Sequence, residues 1–347
     1  MKKFLSLILA LTMVFALTAC GSKEGTEQGD ASSDKVYTLK MAGVDAEGLP
    51  SSNAMAWLAE QVNERTDGKV VIKTYPNCQL GEQKLLYEGV MDGSIDMFFG
   101  YLDPTYDAVY GLTDIPFLAS NYDQIAYIVS DESQIYQAYK EHAPGIDMEF
   151  LGFFVNGVNG VFSTKDMGDY LNPNAKKDCV IRIANSPLYR MAIEALGFST
   201  VTIPYSDTYT SLQTGIMDGM TGIPSYMVDQ SFGDLAKYYC AYDLFMETNV
   251  IMMSPSTVQK LPDEYMQIIR DVCKEVTENS VKEVETNVND GIAALEARGV
   301  NILPISDAQR AELAVEVREK IWPEVTEYFG ADLVALAEAD IEAASKK

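Results

Sequence analysis

The residue with the clearest chemistry is Arg182. A guanidinium is permanently charged, planar and forked, so it can hold a carboxylate by two parallel hydrogen bonds. Arg182 stands near the end of a short β-rich run, 180–183, just before Asn185 and Ser186-Pro187. In a wound α/β sheet, ligands collect at the carboxyl ends of the strands, which is where this run would put the arginine. Taken by itself, Arg182 suits a surface ion pair better than a ligand grip. The chain carries 51 Asp and Glu against 26 Lys and Arg, a net charge of −25. That balance argues against nucleic acid as a partner, because phosphates need clustered cations. It also means that an anionic small molecule would need a local cation.

The elements around Arg182 are legible. After the strand at 180–183, Ser186-Pro187 opens a helix: the serine hydroxyl is expected to accept from an orphan backbone N–H, and proline suits the first helical position. Met191, Ala192, Ala195 and Leu196 give that helix an apolar face, and Gly197 stops it. A second strand is expected at 201–203, a second helix at 208–214 ended by Gly215, and a third strand at 217–221. The order β-α-β-α-β is the unit of a wound α/β domain.

Across 179–224 the chain reads I-R-I-A-N-S-P-L-Y-R, then P-Y-S-D-T-Y-T-S-L-Q-T-G-I-M-D-G. This resembles the solute-binding subunits of TRAP transporters, the dicarboxylate-binding DctP family, whose pattern is R-V-P-N-S-x-x-Y followed by P-x-x-F-S-E-x-Y-x-A-L-Q-x-G-x-V-D-G-x-E-x-P. The resemblance implies that Arg182 grips a ligand carboxylate and that Asn185 and Tyr205 are pocket positions, Tyr205 replacing a phenylalanine. Gly222-Ile223-Pro224 replaces Glu-Asn-Pro, so an amide often used on the ligand is missing. P-N-C-Q-L-G-E at 76–82 and the L-T-D-I-P-F-L element at 112–118 also resemble the family. By the same resemblance Gly100 and Tyr101 lie at the ligand-facing end of a strand, and Tyr226 lies near the cleft. Where the family shows G-x-R-x-x-x-S-x-K, this chain has N-G-V-N-G-V-F-S-T-K. Gly160 then stands at the arginine position, and Asn156 and Asn159 are left either to supply amides or to serve as turn residues beside glycine.

The first nineteen residues read as a signal peptide: Lys2 and Lys3, an apolar stretch at 4–17 too short for a comfortable span, then small residues. Leu17-Thr18-Ala19-Cys20 resembles a lipobox, which implies lipidation of Cys20 and an anchored, non-spanning mature chain. Residues 20–35 hold no large apolar residue and read as a flexible tether. The remaining body is long enough for two domains. Cys78, Cys179, Cys240 and Cys273 show no C-x-x-C spacing. Their pairing is open, with buried thiols expected for the last three. His142 on a polar helix is expected to be solvated, with no set of metal ligands around it.

Strands are expected at 36–41, 70–75, 149–154, 238–242 and 250–253, with a loop at 42–52 before a helix at 54–66. The longest regular element spans 261–299, with Ser280 and Gly291 as soft spots and a break near Asn289-Asp290-Gly291 as the alternative. The family resemblance implies one helix lying across both lobes. Ser306 with Gln309 reads as a capping box, and Pro323 is expected to kink the helix it starts. No phosphate-binding loop, nucleophile elbow or H-E-x-x-H is present.

These readings converge on an α/β, two-lobed periplasmic-binding fold of class II type. Lobe I is expected from 36–156 plus 249–289 and lobe II from 157–248 plus 290–347. The expected function is capture of a small organic acid outside the cytoplasm, its carboxylate on Arg182, by hinge closure, followed by delivery to the small and large TRAP membrane subunits. The chain is expected to be a monomer, without cofactor, metal or catalytic residues. The ligand-facing set is Arg182, Asn185, Tyr205, Gly222, Tyr226, Gly100, Tyr101 and Asn159. The alternatives are an ABC-type or chemoreceptor-coupled binding protein and, with less support, a secreted hydrolase.

Overall fold

The computed structural model describes residues 35–346. The signal peptide, Cys20 and most of the tether lie outside them. From the N-terminal side, the elements are β1 (Tyr37–Gly43), α1 (Pro50–Arg65), β2 (Val70–Tyr75), α2 (Gln83–Asp92), β3 (Met97–Gly100), α3 (Tyr122–Ile128), α4 (Gln134–His142) and β4 (Glu149–Val158). Then come β5 (Val161–Ser163), β6 (Val180–Ile183), α5 (Pro187–Ala195), β7 (Ser199–Thr202), α6 (Thr208–Thr214), β8 (Gly219–Met220) and α7 (Ser225–Phe232). The chain continues through β9 (Tyr238–Cys240), β10 (Met246–Met253), α8 (Pro255–Lys260), α9 (Asp263–Ala297), β11 (Asn301–Leu303), α10 (Asp307–Phe329) and α11 (Ala331–Ala344).

Two mixed sheets organise these elements. The first has the order β2-β1-β3-β10-β4, and the second the order β11-β9-β5-β8-β6-β7. In the first, β1 lies parallel to β2 and β3, while β10 runs antiparallel to both β3 and β4. In the second, β6 lies parallel to β7 and to β8. Two strands lead between the sheets. β4 runs on through Asn159 and Gly160 into β5, and β10 returns from β9. The β4–β10 ladder shifts register between Glu247 and Thr248. Such an irregularity re-aims the side chains beside it.

α9 is a single helix of 35 residues, about 52 Å long at 1.5 Å per residue. The alternative of a break at Gly291 is not observed. The two soft spots are contact points. Ser280 Oγ accepts from the Val155 backbone N–H at 3.0 Å, which binds α9 to β4. At Gly291 the helix meets α7 so closely that a β-carbon would collide with the backbone nitrogen of Tyr226. Ser225 Oγ donates to the Val288 carbonyl at 2.5 Å beside it. The same helix is therefore tied to both sheets.

Local expectations differ from the structure in a few places. The loop expected at 42–52 is shorter, because α1 already starts at Pro50, whose fixed φ suits the first helical turn. β5 was not foreseen, because its three residues Val161–Ser163 are too few to show a period. The capping box on Ser306 is present, with both reciprocal hydrogen bonds, and α10 runs through Pro323. The cysteines Cys78, Cys179, Cys240 and Cys273 are free thiols, the last three buried. His142 Nδ1 lies 2.7 Å from Asp107 Oδ2.

Candidate functional site

Arg182 sits on β6, with Val201 and Met220 as its register partners on the neighbouring strands. Its residue is only 6% exposed. Nε donates to the Ile203 carbonyl at 2.8 Å, and the guanidinium lies 5.9 Å from the centre of the Tyr205 ring. These contacts fix the plane of the fork. The two terminal nitrogens have no protein hydrogen-bond partner among the described residues. Burial lowers the arginine's pKa, opposed by the fields of Tyr205, Tyr189 and Glu247. An arginine remains charged under such shifts, so the site holds a desolvated cation with four of its five N–H donors unused among the described residues.

The arginine faces two connected spaces. An outer cavity of about 900 Å³ is lined by Arg182, Asn185 and Tyr205 from the second-sheet side and by Gln83, Tyr101 and Asp103 from the first. A smaller inner chamber of about 80 Å³ adds Asp45, Asn156, Tyr189, Gly222, Glu247 and Asn249. Val44, Gln83, Tyr101, Arg182, Ala184 and Tyr205 line both. The chamber floor comes from the two connecting strands, Asn156 from β4 and Glu247 and Asn249 from β10. At the mouth, Asn185 Nδ2 donates to Asp103 Oδ2 at 3.3 Å, joining the two sides. A separate groove of about 280 Å³ around Val129, Tyr136 and Val281 shares no lining residue with either space.

Four of the expected positions, Arg182, Tyr101, Tyr205 and Gly222, meet in the inner chamber, and Asn185 stands in the outer one. Asn159 is behind the chamber wall, where Nδ2 donates to Glu247 Oε2 at 3.0 Å and reaches the Tyr189 hydroxyl at 3.3 Å. Gly100 and Tyr226 line neither space. Gly100 is the buried end of β3, and Tyr226 is packed in the apolar cluster under α7. Gly222 has φ +96° with the Tyr189 ring beneath it, 3.3 Å from where a β-carbon would stand. At Gly160 a β-carbon would strike the Cys240 carbonyl and the Tyr239 ring, so no side chain of any kind fits there. The expected serine cap of α5 is absent: Ser186 Oγ is buried and makes no cap hydrogen bond.

The sequence reading missed the acidic wall. Asp45 Oδ2 accepts from Ser51 Oγ at 2.7 Å and from Asn249 Nδ2 at 3.0 Å. Glu247 Oε2 accepts from Asn159 and, at 3.1 Å, from the Tyr189 hydroxyl. Behind Tyr101, whose hydroxyl donates at 2.7 Å, lies buried Asp114. Burial pushes Glu247 up to about 8 and Asp114 up to about 7, and it raises Asp45 against the two bonds that stabilise its charge. One signal for Glu247 was available. It is the only acidic residue in M-E-T-N-V-I-M-M, a strand buried along its whole length.

The raised carboxyl has a measurable consequence. A folded state that holds a proton more tightly than the unfolded chain loses stability as pH rises between the two pKa values. For Glu247 that window runs from its ordinary 4.5 to about 8. The unliganded protein is expected to lose stability across it, by up to about 1.4 kcal/mol per pH unit, and Glu247→Gln to flatten the slope. Chemical denaturation at a series of pH values checks this. Stability that climbs steadily across the same window would contradict it.

The comparisons agree with this architecture. The family model described as bacterial extracellular solute-binding protein, family 7 (DctP) matches residues 41–328. The C4-dicarboxylate-binding periplasmic protein DctP of Vibrio cholerae is 24% identical over 96% of this chain and 98% of its own. The sialic acid-binding periplasmic protein SiaP of the same organism is 22% identical over 78% of this chain and 84% of its own. Among solved structures, a TRAP periplasmic solute binding protein from Desulfovibrio salexigens, with bound orotic acid, superposes with a TM-score of 0.80 at 23% identity, covering 89% of this chain and 99% of that one. With the matched model spanning most of its length and the two-sheet fold shared, this chain belongs to family 7 of the bacterial extracellular solute-binding proteins, the DctP family.

Proposed function

We propose that the protein captures a small organic acid outside the cytoplasm by clamping its carboxylate between the two terminal nitrogens of Arg182, and that it hands the closed complex to the membrane subunits of a TRAP transporter. The supporting observation is the buried guanidinium, braced by Ile203 and Tyr205, whose remaining donors meet no acceptor among the described residues in a cavity built from both sheets. The related proteins named for C4-dicarboxylates and sialic acid support the acid class. Residues 36–156 with 249–289 form one lobe in this reading, and 157–248 with 290–347 the other. The hinge is the pair of connecting strands near Asn156 and Asn249, with α9 strapped across both lobes. Closure removes water from around the ion pair, which strengthens it. Lipidation at Cys20 would keep a monomeric chain at the membrane surface beside its permease.

A thermal-shift screen of small carboxylic acids against their methyl esters tests this. Acids that bind are expected to stabilise the protein, by about 2.7 kcal/mol at 100 times the dissociation constant, and their esters are not. Esters that stabilise as well as acids would remove the clamp.

A further inference from the structure

The inner chamber has more to recognise than a carboxylate. Asp45 and Glu247 line it together with Arg182, and each is only half engaged by the protein. Asp45 uses Oδ2 for Ser51 and Asn249, and Glu247 uses Oε2 for Asn159 and Tyr189. Their other oxygens, Oδ1 and Oε1, have no protein hydrogen bond among the described residues, and neither atom is sealed from the chamber. Neither carboxylate forms an ion pair with a lysine, arginine or histidine among the described residues. Asn156, itself 3% exposed, makes no side-chain hydrogen bond and lines the same chamber.

From this geometry we infer that the solute is a zwitterion: a small amino acid whose carboxylate docks on Arg182 and whose ammonium group is held by Asp45 Oδ1 and Glu247 Oε1. The inference rests on the carboxylate reading above and specifies it further. Charge closure supports it. With both acids ionised, one arginine leaves the chamber negatively charged, and a ligand that brings only a carboxylate supplies no counter-charge for them. Burying an unpaired charge is expensive. An ammonium brings one positive charge and three N–H donors, two of which match the acceptor oxygens Asp45 Oδ1 and Glu247 Oε1. The hydrogen bonds from Ser51, Asn249, Asn159 and Tyr189 orient both carboxylates toward the chamber before any ligand arrives. Burial raises the pKa of both acids in the empty chamber, and no cation beside them opposes it. A hydroxyl in place of the amine could donate one hydrogen bond but would leave the charge uncompensated.

The test uses matched pairs that differ only at this group: L-alanine with L-lactate, L-glutamate with L-2-hydroxyglutarate, and 4-aminobutyrate with 4-hydroxybutyrate. Binding is measured by calorimetry on the full mature chain. At least one amino acid is expected to bind its site at least about 30-fold more tightly than its hydroxy twin, the scale set by leaving a buried charge unpaired. Asp45→Asn and Glu247→Gln are each expected to remove most of that preference, weakening the amino acid far more than its hydroxy twin. The two substitutions sit on different elements, so a folding defect in one leaves the other informative. A panel in which no amino acid outbinds its twin overturns the inference. So does a preference that survives both substitutions. Hydroxy acids that bind at least as tightly as their amino twins and are lost in Arg182→Ala would overturn the ammonium site alone. Binding that ignores Arg182 throughout would overturn the carboxylate reading beneath it.

Discussion

Arg182→Ala is expected to weaken solute binding by at least about 100-fold, while the unliganded protein keeps its fold and most of its stability. The reason is the asymmetry of the site. With ligand bound, the guanidinium would form two charge-assisted bonds in a nearly dry cleft, and truncating one partner of such a pair costs about 2–5 kcal/mol. Without ligand, the same group is a desolvated cation with a single protein hydrogen bond among the described residues, from Nε to Ile203. Removing it gives up that bond, worth about 1 kcal/mol, and relieves an unpaired charge. Arg182→Lys keeps the charge but loses the fork, and cannot both brace on Ile203 and present two parallel donors, so its affinity is expected to fall between the two. Calorimetric titration of the three proteins with one stabilising acid measures this. An alanine variant with wild-type affinity would show that the carboxylate binds elsewhere.

Gly160→Ala is expected to destabilise the protein by about 3 kcal/mol or more, at the upper end of overpacking effects. The position lies between β4 and β5, and an added β-carbon meets atoms that cannot yield: the Cys240 carbonyl on β9, and the hydroxyl and ring of Tyr239 at 2.6 and 2.7 Å. Tyr239 is 1% exposed and stacked into a full core. The residue also marks where the family pattern places an arginine. The resemblance left open what replaces it, and the packing answers part of the question: at this backbone position no arginine can be accommodated. Denaturant titration of the variant checks the figure. A loss below about 0.5 kcal/mol, the scale of an ordinary surface change, would mean that β9 can move away.

Local signals were legible in the sequence, and pairings between distant segments were not. The glycine stops after α5 and α6, the capping box at Ser306 and the exact run of β2 depend on neighbours within one turn or one strand, so their chemistry can be read from adjacent letters. Arg182 was legible for the same reason, since a fork at a strand end is a local pattern. Ser280 and Gly291 were read as weaknesses in a helix because their contacts, Val155 and Tyr226, lie far away in the chain. The acidic wall escaped for the same cause at greater range. Asp45 sits in a run of small residues, and the partner that fixes it, Asn249, is 204 positions away. Asn159 and Glu247, 88 positions apart, meet only because β4 and β10 pair where the chain passes between the sheets. Tyr226 and Gly100 failed to reach the cavity although they neighbour it in sequence, because packing under α7 and at the end of β3 turned them inward.

The central claim is that one buried guanidinium holds the acid group of the solute. A crystal structure of the protein with a stabilising acid bound tests it most directly. The account predicts both carboxylate oxygens at about 2.7–2.9 Å from the two terminal nitrogens of Arg182, with Nε still on the Ile203 carbonyl. A ligand whose carboxylate lies on other donors, with those two nitrogens facing water, would contradict it.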